Sequence, residues 1–318
     1  MKRILKRVAA PSSAALLLGV ALAGCGGGSS NNNSTPQNVA AANMVALQSG
    51  NVLSLFDART PYTVQTRTVS GLNSGEQLIG IDYRFAPVAA ATTGAGLYGL
   101  VRSSTSARLV TLNLSGTTAV ATGVGNGFTL PFTSSNIGFD FNPLVDRLRV
   151  VDSVSGANLR LNPDTGGLVD SDANTAGTQF DGNVAYDTTD AGNGTTPRLV
   201  GAAYTNNFAG TTGTINYAID SARGALVTQG RPANGSAASV SPNTGRLFTV
   251  GLLGTKPGTG GAGFDIGPGQ TNNAFVAFSS SSGRARLYAL DLASGTLSGG
   301  AEIRSSADRP VLGIAILP

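Results

Sequence analysis

Four aspartates occupy one position in a repeated pattern of glycine, apolar residue, aspartate and apolar residue. They are Asp82, Asp140, Asp187 and Asp265, with the copy around Asp187 lacking its glycine. Carboxylates that converge on one channel could bind a cation or a basic ligand. Buried acids could instead accept hydrogen bonds from neighbouring backbone, or pair with an arginine such as Arg84, Arg147 or Arg149. Because a residue repeated in most copies of a motif usually serves the architecture, the pattern favours the structural role.

A second set of oxygen ligands has the spacing of a calcium loop. Positions 1, 3, 5 and 12 of an EF-hand-like loop are filled by Asp170, Asp172, Asn174 and Asp181. Position 6 is Thr175, where the sharp turn needs glycine, and position 12 is an aspartate in place of the longer bidentate glutamate. Ordinary acidic turns between strands are therefore the favoured interpretation and no cofactor is expected, with calcium as the one alternative.

The composition excludes several kinds of catalysis. The chain has no histidine, no tryptophan and one cysteine, so histidine-based triads and zinc or thiol chemistry lack their residues. Two glutamates, Glu76 and Glu302, accompany the aspartates, but no spacing identifies a hydrolytic carboxylate pair. The sequence therefore predicts no catalytic residues. A hydrolase or lyase acting on a small molecule or glycan through an aspartate-lined channel is the alternative.

The N-terminus has the features of an export signal. Four basic residues within the first seven precede an apolar run of ten residues, 14–23, which is too short to span a bilayer. The following Leu22-Ala23-Gly24-Cys25 resembles the bacterial lipobox. That resemblance implies cleavage before Cys25 and attachment of lipid to this residue. Gly26 in the next position implies sorting to the outer membrane if the source is Gram-negative.

Three segments follow from this reading. Residues 1–24 are the predicted signal peptide, residues 25–42 a lipidated cysteine with a flexible Gly/Ser/Asn tether, and residues 43–318 a single domain. Without the four leader charges, basic and acidic residues are equal at 17 each. No basic field remains to attract nucleic acid. The expected partners are the membrane, through the lipid, and an envelope protein or small-molecule ligand.

The domain is predicted to be all-β and repetitive. Short apolar runs alternate with Gly, Asn, Asp, Ser and Pro clusters, and residues 43–318 contain no clear amphipathic helix. The motif of the four aspartates has a fifth copy without the acid, Gly313-Ile314-Ala315-Ile316. A second motif, in which a strand ends in Asp or Asn before a tight turn, also occurs five times: at Asp57, Asn113, Asn162, Asp220 and Asp291. Five copies of each motif, about 50–60 residues apart, predict units of four strands.

The two ends of the domain complement each other. The chain begins with second-, third- and fourth-strand material and ends with a lone first strand, residues 311–316. Pairing of the last strand with the first three would close a ring, so we predict a β-propeller of about five four-stranded blades. Six blades, with residues 235–254 forming their own, and a β-sandwich are the alternatives.

The middle of the chain resembles a known bacterial family. Its signature is similar to residues 137–143 (IGFDFNP), 145–151 (VDRLRVV), 158–166 (NLRLNPDTG) and 202–207 (AAYTNN). The family is the domain of unknown function numbered 4394, and the similarity extends over about residues 44–317. This resemblance implies an exported protein with a propeller-like repeat, and it transfers no catalytic residue. The function expected from the sequence is thus a non-catalytic binding or scaffold module, anchored in the cell envelope.

Overall fold

The computed structural model describes residues 43–104, 106–235, 237–258, 261–304 and 308–318. Within these ranges the fold is all-β, as predicted. It has twenty strands, one short 3-10 helix at Pro242–Thr244 and no α-helix. The predicted signal peptide and tether, residues 1–42, lie outside the described residues. None of the described residues belongs to a helix that could cross a membrane.

The largest sheet has eight strands, and it consists of two antiparallel runs of four. The strands are β1 (Asn43–Gln48), β2 (Val52–Asp57), β3 (Gln65–Ser70), β4 (Gln77–Arg84), β5 (Gly96–Ser103), β6 (Ser106–Asn113), β7 (Ala119–Thr129) and β20 (Val311–Leu317). Group 1 contains β20, β1, β2 and β3, and group 2 contains β4 to β7. A parallel pairing of only two residues on each strand, between β3 and β7, joins the two groups.

Three smaller sheets form the rest of the fold. Group 3 contains β8 (Ile137–Asn142), β9 (Arg147–Asp152) and β10 (Asn158–Leu161). Group 4 contains β12 (Leu199–Tyr204), β13 (Asn216–Asp220), β14 (Ala225–Gln229) and β15 (Arg246–Leu252), with β11 (Ala185–Tyr186) added at its edge. Group 5 contains β16 (Ala262–Ile266), β17 (Ala274–Ser279), β18 (Ala285–Leu290) and β19 (Leu297–Ile303).

The same side-chain turn ends one strand in every group, the third strand in groups 1, 2, 3 and 5 and the second strand, β13, in group 4. In each copy the Asp or Asn oxygen accepts a hydrogen bond from the backbone N–H two residues later, at 2.8–2.9 Å. The five acceptors are Asp57, Asn113, Asn162, Asp220 and Asp291. Such a bond offers the backbone a turn in place of continued pairing, which is why these residues end strands. The repeat of the second motif is therefore confirmed.

The last strand of the chain pairs with the first. Strand β20 runs antiparallel to β1, with Met44 opposite Ile316 and Ala46 opposite Ile314. The lone C-terminal strand therefore completes group 1, as the order of the motifs predicted. The described residues within 235–254 do not form a sheet of their own. They contribute the 3-10 helix and β15, which pairs with β14 in group 4.

The first strands of the five groups share one sequence pattern. These first strands, β4, β8, β12, β16 and β20, all carry glycine followed by a hydrophobic residue. The prediction that residues 185–187 form the copy between Asp140 and Asp265 is wrong. That copy is Gly201-Ala202-Ala203-Tyr204 in β12, while Ala185–Tyr186 is an edge strand parallel to β15. Ala203 stands where an aspartate would have marked the repeat.

The five first strands contact one another in cyclic order, β4–β8–β12–β16–β20–β4. Their glycines permit this close approach. A Cβ atom on Gly138 would lie 2.7 Å from the Cβ of Ala202, and one on Gly263 would lie 2.6 Å from the backbone nitrogen of Ile314. Since real Cβ contacts are not this short, a larger residue would push the neighbouring strands apart.

Five hydrophobic clusters fill the spaces between the groups. Each cluster combines residues from two consecutive groups in the cyclic order, and group 5 shares one with group 1. Representative pairs are Leu53 and Val110, Leu100 and Leu148, Val151 and Val227, Ile219 and Val276, and Phe275 and Met44. The groups are therefore held face to face by burial of apolar surface, since the chain beyond Cys25 has no cysteine for disulfides.

Candidate functional site

Three of the four repeated aspartates converge. Asp82 on β4, Asp140 on β8 and Asp265 on β16 are only 1–2% exposed. One carboxylate oxygen from each lies within 4.8 Å of the others, and we call these three residues the aspartate cluster. Ala203 and Ala315 stand at the corresponding positions of the other two first strands, β12 and β20.

The aspartate cluster accepts hydrogen bonds from the backbone of all five first strands. In each strand the donor is the N–H of the residue that follows the Asp or Ala position, at 2.6–2.9 Å. Asp82 accepts from Tyr83 and Phe141, Asp140 from Tyr204, and Asp265 from Ile266 and Ile316. Three of the five donors, the N–H groups of Phe141, Tyr204 and Ile316, bond to an aspartate on a neighbouring first strand and so tie adjacent groups together.

One of the six carboxylate oxygens has no such donor. Five oxygens serve the five N–H groups, while Oδ2 of Asp140 is buried and has no hydrogen-bond partner among the described residues. The backbone N–H groups therefore donate to both carboxylate oxygens of Asp82 and of Asp265, but to only one oxygen of Asp140. Buried carboxylate oxygens without a partner are rare in native structures.

Burial makes the charged form of these acids costly. Loss of hydration raises the pKa of Asp265 to about 7. Burial, together with the charge of Asp265, raises the pKa of Asp82 well above its usual range. The pKa of Asp140 is raised by burial and by the charges of both partners. Three adjacent carboxylates thus need protons or a cation to balance their charge.

Asp187 lies outside the cluster. Its carboxylate accepts hydrogen bonds from the backbone and hydroxyl of Thr189 and lies 3.3 Å from Nη1 of Arg246. It therefore closes a turn after the edge strand β11. Grouping Asp187 with the other three from the repeat pattern was wrong, because Ala203 holds the equivalent place.

The calcium-loop residues do not converge either. Asp170 and Asp172 accept hydrogen bonds from backbone N–H groups of their own turn, including those of Asp172 and Asn174. The carboxylate of Asp181 is instead bound by Arg149 and Arg160, at 3.0 and 2.8 Å. The twelfth residue of the loop is thus paired elsewhere, so the EF-hand-like alternative is wrong, whereas Asp170 and Asp172 form the acidic turns that the sequence favoured.

Two buried arginines connect neighbouring groups, with partners that sequence reasoning did not find. Arg84 on β4 binds Asp146 through two nitrogens and lies 3.2 Å from Asp164. It also donates to the backbone and hydroxyl of Thr93. The guanidinium therefore bridges groups 2 and 3. Its planar arrangement of several N–H donors suits this role.

Arg149 on β9 plays the same part between groups 3 and 4. It donates to the hydroxyl of Tyr204 at 2.8 Å and to the side-chain oxygen of Asn243 at 2.6 Å. Asn158 and Asp181 accept from its third nitrogen. Of the two structural roles that the sequence left open for the repeated aspartates, hydrogen bonding to backbone N–H groups is confirmed for Asp82, Asp140 and Asp265, and pairing with Arg84, Arg147 or Arg149 is wrong. Arg147 donates to backbone carbonyls.

Beside the cluster, the centre of the ring of first strands is nearly filled. A cavity of about 10 Å³ lies there among residues next to the glycines, including Ile81, Phe139, Ala202, Phe264 and Ile314. That volume is no more than one water molecule needs. The carboxylates at this centre are therefore not exposed to an open channel.

The carboxylate of Glu76 forms an ion pair elsewhere, because Arg108 donates hydrogen bonds to both of its oxygens.

A much larger cleft lies between groups 4 and 5. Its volume is about 1270 Å³, and loops 205–217, 270–275 and 289–293 form most of its wall. The polar part of this wall consists mainly of uncharged hydroxyl and amide groups, among them Thr211, Thr212, Gln270, Thr271 and Asn273, and apolar residues such as Phe208, Phe275 and Leu292 form a similar share. Asp291 is the single carboxylate among the lining residues, and it accepts hydrogen bonds from its own turn.

Two asparagines hold the cleft loops together. Asn272 accepts a hydrogen bond from the backbone N–H of Asn206 at 2.6 Å and donates its amide to the side-chain oxygen of Asn206 at 3.1 Å. The φ angles of Asn206 and Asn272 are positive, 57° and 50° respectively, a conformation that asparagine tolerates better than most residues. The cleft wall is thus fixed by specific bonds between groups 4 and 5.

Solved structures with a similar fold have low sequence identity to this chain. The Mala s 1 allergen of Malassezia sympodialis is 11% identical, with 87% of this chain and 80% of that chain covered and a TM-score of 0.40. A protein from Lactobacillus plantarum is 12% identical, with 88% and 100% covered and a TM-score of 0.40. A luciferin-regenerating enzyme is 13% identical, with 87% and 80% covered and a TM-score of 0.39.

No curated protein matches the sequence. A family model does match, over residues 52–315, which includes every segment that carried the resemblance seen in the sequence. The chain therefore belongs to the family described as Domain of unknown function (DUF4394).

Proposed function

We propose that this protein is a non-catalytic binding module of the bacterial cell envelope, held at the membrane by a lipid on Cys25. The observation that carries the binding role is the cleft between groups 4 and 5. Its size is ample for a small ligand or a segment of a polymer. Hydroxyl and amide side chains both donate and accept hydrogen bonds, so the cleft suits an uncharged polar ligand.

The architecture that we propose for this module is a five-bladed propeller. Groups 1 to 5 are the five blades, and the first strands are the innermost strands. Group 3 departs from the predicted four-stranded unit, because its sheet has three strands among the described residues. Support comes from the cyclic contacts of the first strands, from the five clusters between consecutive groups and from the pairing of β20 with β1. In such a ring few sheet edges are exposed, and the loops at one end are free to build a binding surface.

The chemistry of the cleft supports binding over catalysis. Hydrolysis by two carboxylates needs a second acid near the first, and the lining residues offer Asp291 alone. The rival function, a hydrolase or lyase with an aspartate-lined channel, would need the aspartate cluster to meet substrate. Those three residues are almost fully buried beside a cavity of about 10 Å³.

Lipidation of Cys25 is expected to be complete and specific. The basic residues, the apolar run and the lipobox-like residues 22–25 occur in the order that export and lipid attachment require. A fatty-acid probe fed to the producing cells should label the wild type and not Cys25→Ser. The labelled protein should fractionate with the outer membrane if the source is Gram-negative. Label that persists in Cys25→Ser would rule out this anchor.

A block placed in the cleft is expected to abolish ligand capture. Thr271 and Thr212 are exposed residues of the wall. The double variant Thr212→Arg/Thr271→Arg should therefore place two large charged side chains in the cleft without disturbing the core. Wild-type protein and the double variant are each used to capture components from solubilised native envelopes. Val154→Arg, an exposed substitution outside the cleft, is the matched control. The cleft proposal fails if the double variant and the control capture the same components.

A further inference from the structure

The charge of the aspartate cluster has no counterpart among the described residues. Asp82, Asp140 and Asp265 are buried within a few ångströms of one another, yet none of the ion pairs in the described ranges includes them. A buried carboxylate without a cationic partner is strongly disfavoured. Something other than the described side chains must therefore neutralise the cluster.

Backbone dipoles satisfy only part of this demand. The five N–H groups supply five hydrogen bonds but no net charge, and they occupy five of the six carboxylate oxygens. The sixth, Oδ2 of Asp140, is an unpartnered acceptor inside a side chain that is 1% exposed. It belongs to the same cluster, so the free lone pairs and the unbalanced charge occur at one place.

The donor set identifies the kind of ion that fits. All available ligands are carboxylate oxygens, which prefer hard cations. Oxygens that already accept an N–H bond keep a second lone pair for a metal. The ligand oxygens all lie within 4.8 Å of one another, so a single ion can contact all three carboxylates. Ca²⁺ fits such a buried set better than Mg²⁺, which demands regular octahedral geometry and usually keeps several of its waters.

We propose that Asp82, Asp140 and Asp265 together bind one calcium ion at the centre of the ring of first strands. The ion links β4, β8 and β16, three strands that are far apart in sequence and belong to groups 2, 3 and 5. It acts as a structural clamp, because the site is closed to a substrate. This role is independent of the proposed ligand cleft, which lies between groups 4 and 5 and uses none of the three aspartates.

The metal content of the wild-type chain tests the proposal directly. Protein purified without chelator and passed through a desalting column should contain about one calcium per chain by plasma mass spectrometry. After exhaustive dialysis against EDTA, the melting temperature should fall by at least ~5 °C and should recover on addition of CaCl₂. MgCl₂ and MnCl₂ serve as comparison ions and should restore less of the loss.

Two variants locate the ion. Asp140→Asn removes the charge but keeps an oxygen that can accept from the N–H of Tyr204, so the chain should fold without metal and melt independently of calcium. Asp172→Asn is the control, because Asp172 is an exposed acid of the EF-hand-like loop. This variant should keep the wild-type number of calcium ions per chain. If Asp140→Asn does not fold, Asp265→Asn provides the same test.

Two results would overturn the proposal. One is wild-type protein that carries no metal and whose melting is unaffected by EDTA, CaCl₂, MgCl₂ or MnCl₂, which would mean that protons neutralise the cluster. The other is an undiminished calcium content in both Asp140→Asn and Asp265→Asn. Loss of calcium in Asp172→Asn alone would place the ion in the exposed loop and would equally contradict the cluster.

Discussion

Removal of residues 310–318 is expected to abolish cooperative unfolding. Strand β20 supplies Val311, Ile314 and Ile316 to the cluster between groups 5 and 1, and all three are at most 3% exposed. Each such side chain contributes about 1.5–3 kcal/mol by burial. Their sum approaches the whole stability of a typical domain, about 5–15 kcal/mol. The backbone of β1 would also lose its partner and expose a sheet edge.

Calorimetry and circular dichroism of the truncated chain measure this effect. We expect aggregation, or a broad transition in place of a sharp one. A chain that starts at Asn43 is the control, because it lacks only the predicted leader and tether and should melt as the full-length protein does. If the chain lacking residues 310–318 has the same melting curve as this control, the closure of group 1 by β20 is not required for folding.

Arg84→Ala is expected to lower the free energy of unfolding by about 3–5 kcal/mol. Removal of the guanidinium leaves Asp146, which is 2% exposed, as an uncompensated buried charge. The carbonyl and hydroxyl of Thr93 lose a donor in the same step. Breaking a buried pair from one side costs more than the pair contributes when intact, because the remaining charge stays desolvated.

Urea denaturation of Arg84→Ala and Arg59→Ala gives the comparison. Arg59 pairs with Asp57 at the surface, so its loss should change the unfolding midpoint little. The double variant Arg84→Ala/Asp146→Ala should regain part of the stability lost in Arg84→Ala, since no unpaired carboxylate remains. Equal unfolding midpoints for Arg84→Ala and Arg59→Ala would show that the Arg84–Asp146 pair does not stabilise the contact between groups 2 and 3.

Local sequence patterns predicted the strands and turns well. The Asp and Asn residues that end strands before a tight turn bond to a backbone N–H two residues later, so the sequence alone contains the whole interaction. The complementary ends of the repeat likewise indicated the pairing of β20 with β1. The copy in β12 was missed for a related reason: with Ala203 in place of an acid, the local pattern that marked the other copies is absent.

Interactions between distant segments could not be predicted in the same way. Asp82 accepts a bond from Phe141, and Arg149 binds Asn243, across 59 and 94 residues respectively. Nothing in the spacing indicates whether a buried acid will bind an arginine or backbone N–H groups. The cleft is also built from three separate loops, and none of them carries a motif that identifies a binding site.

Photo-crosslinking in intact cells tests the binding role of the cleft most directly. A photoreactive amino acid is placed at Thr271, in the cleft wall, and in a second strain at Val154, which is exposed outside it. The proposed function predicts a discrete adduct from position 271, absent from position 154 and lost when Thr212→Arg is added. No adduct at position 271, or the same adducts from both positions, would contradict a ligand-binding cleft between groups 4 and 5.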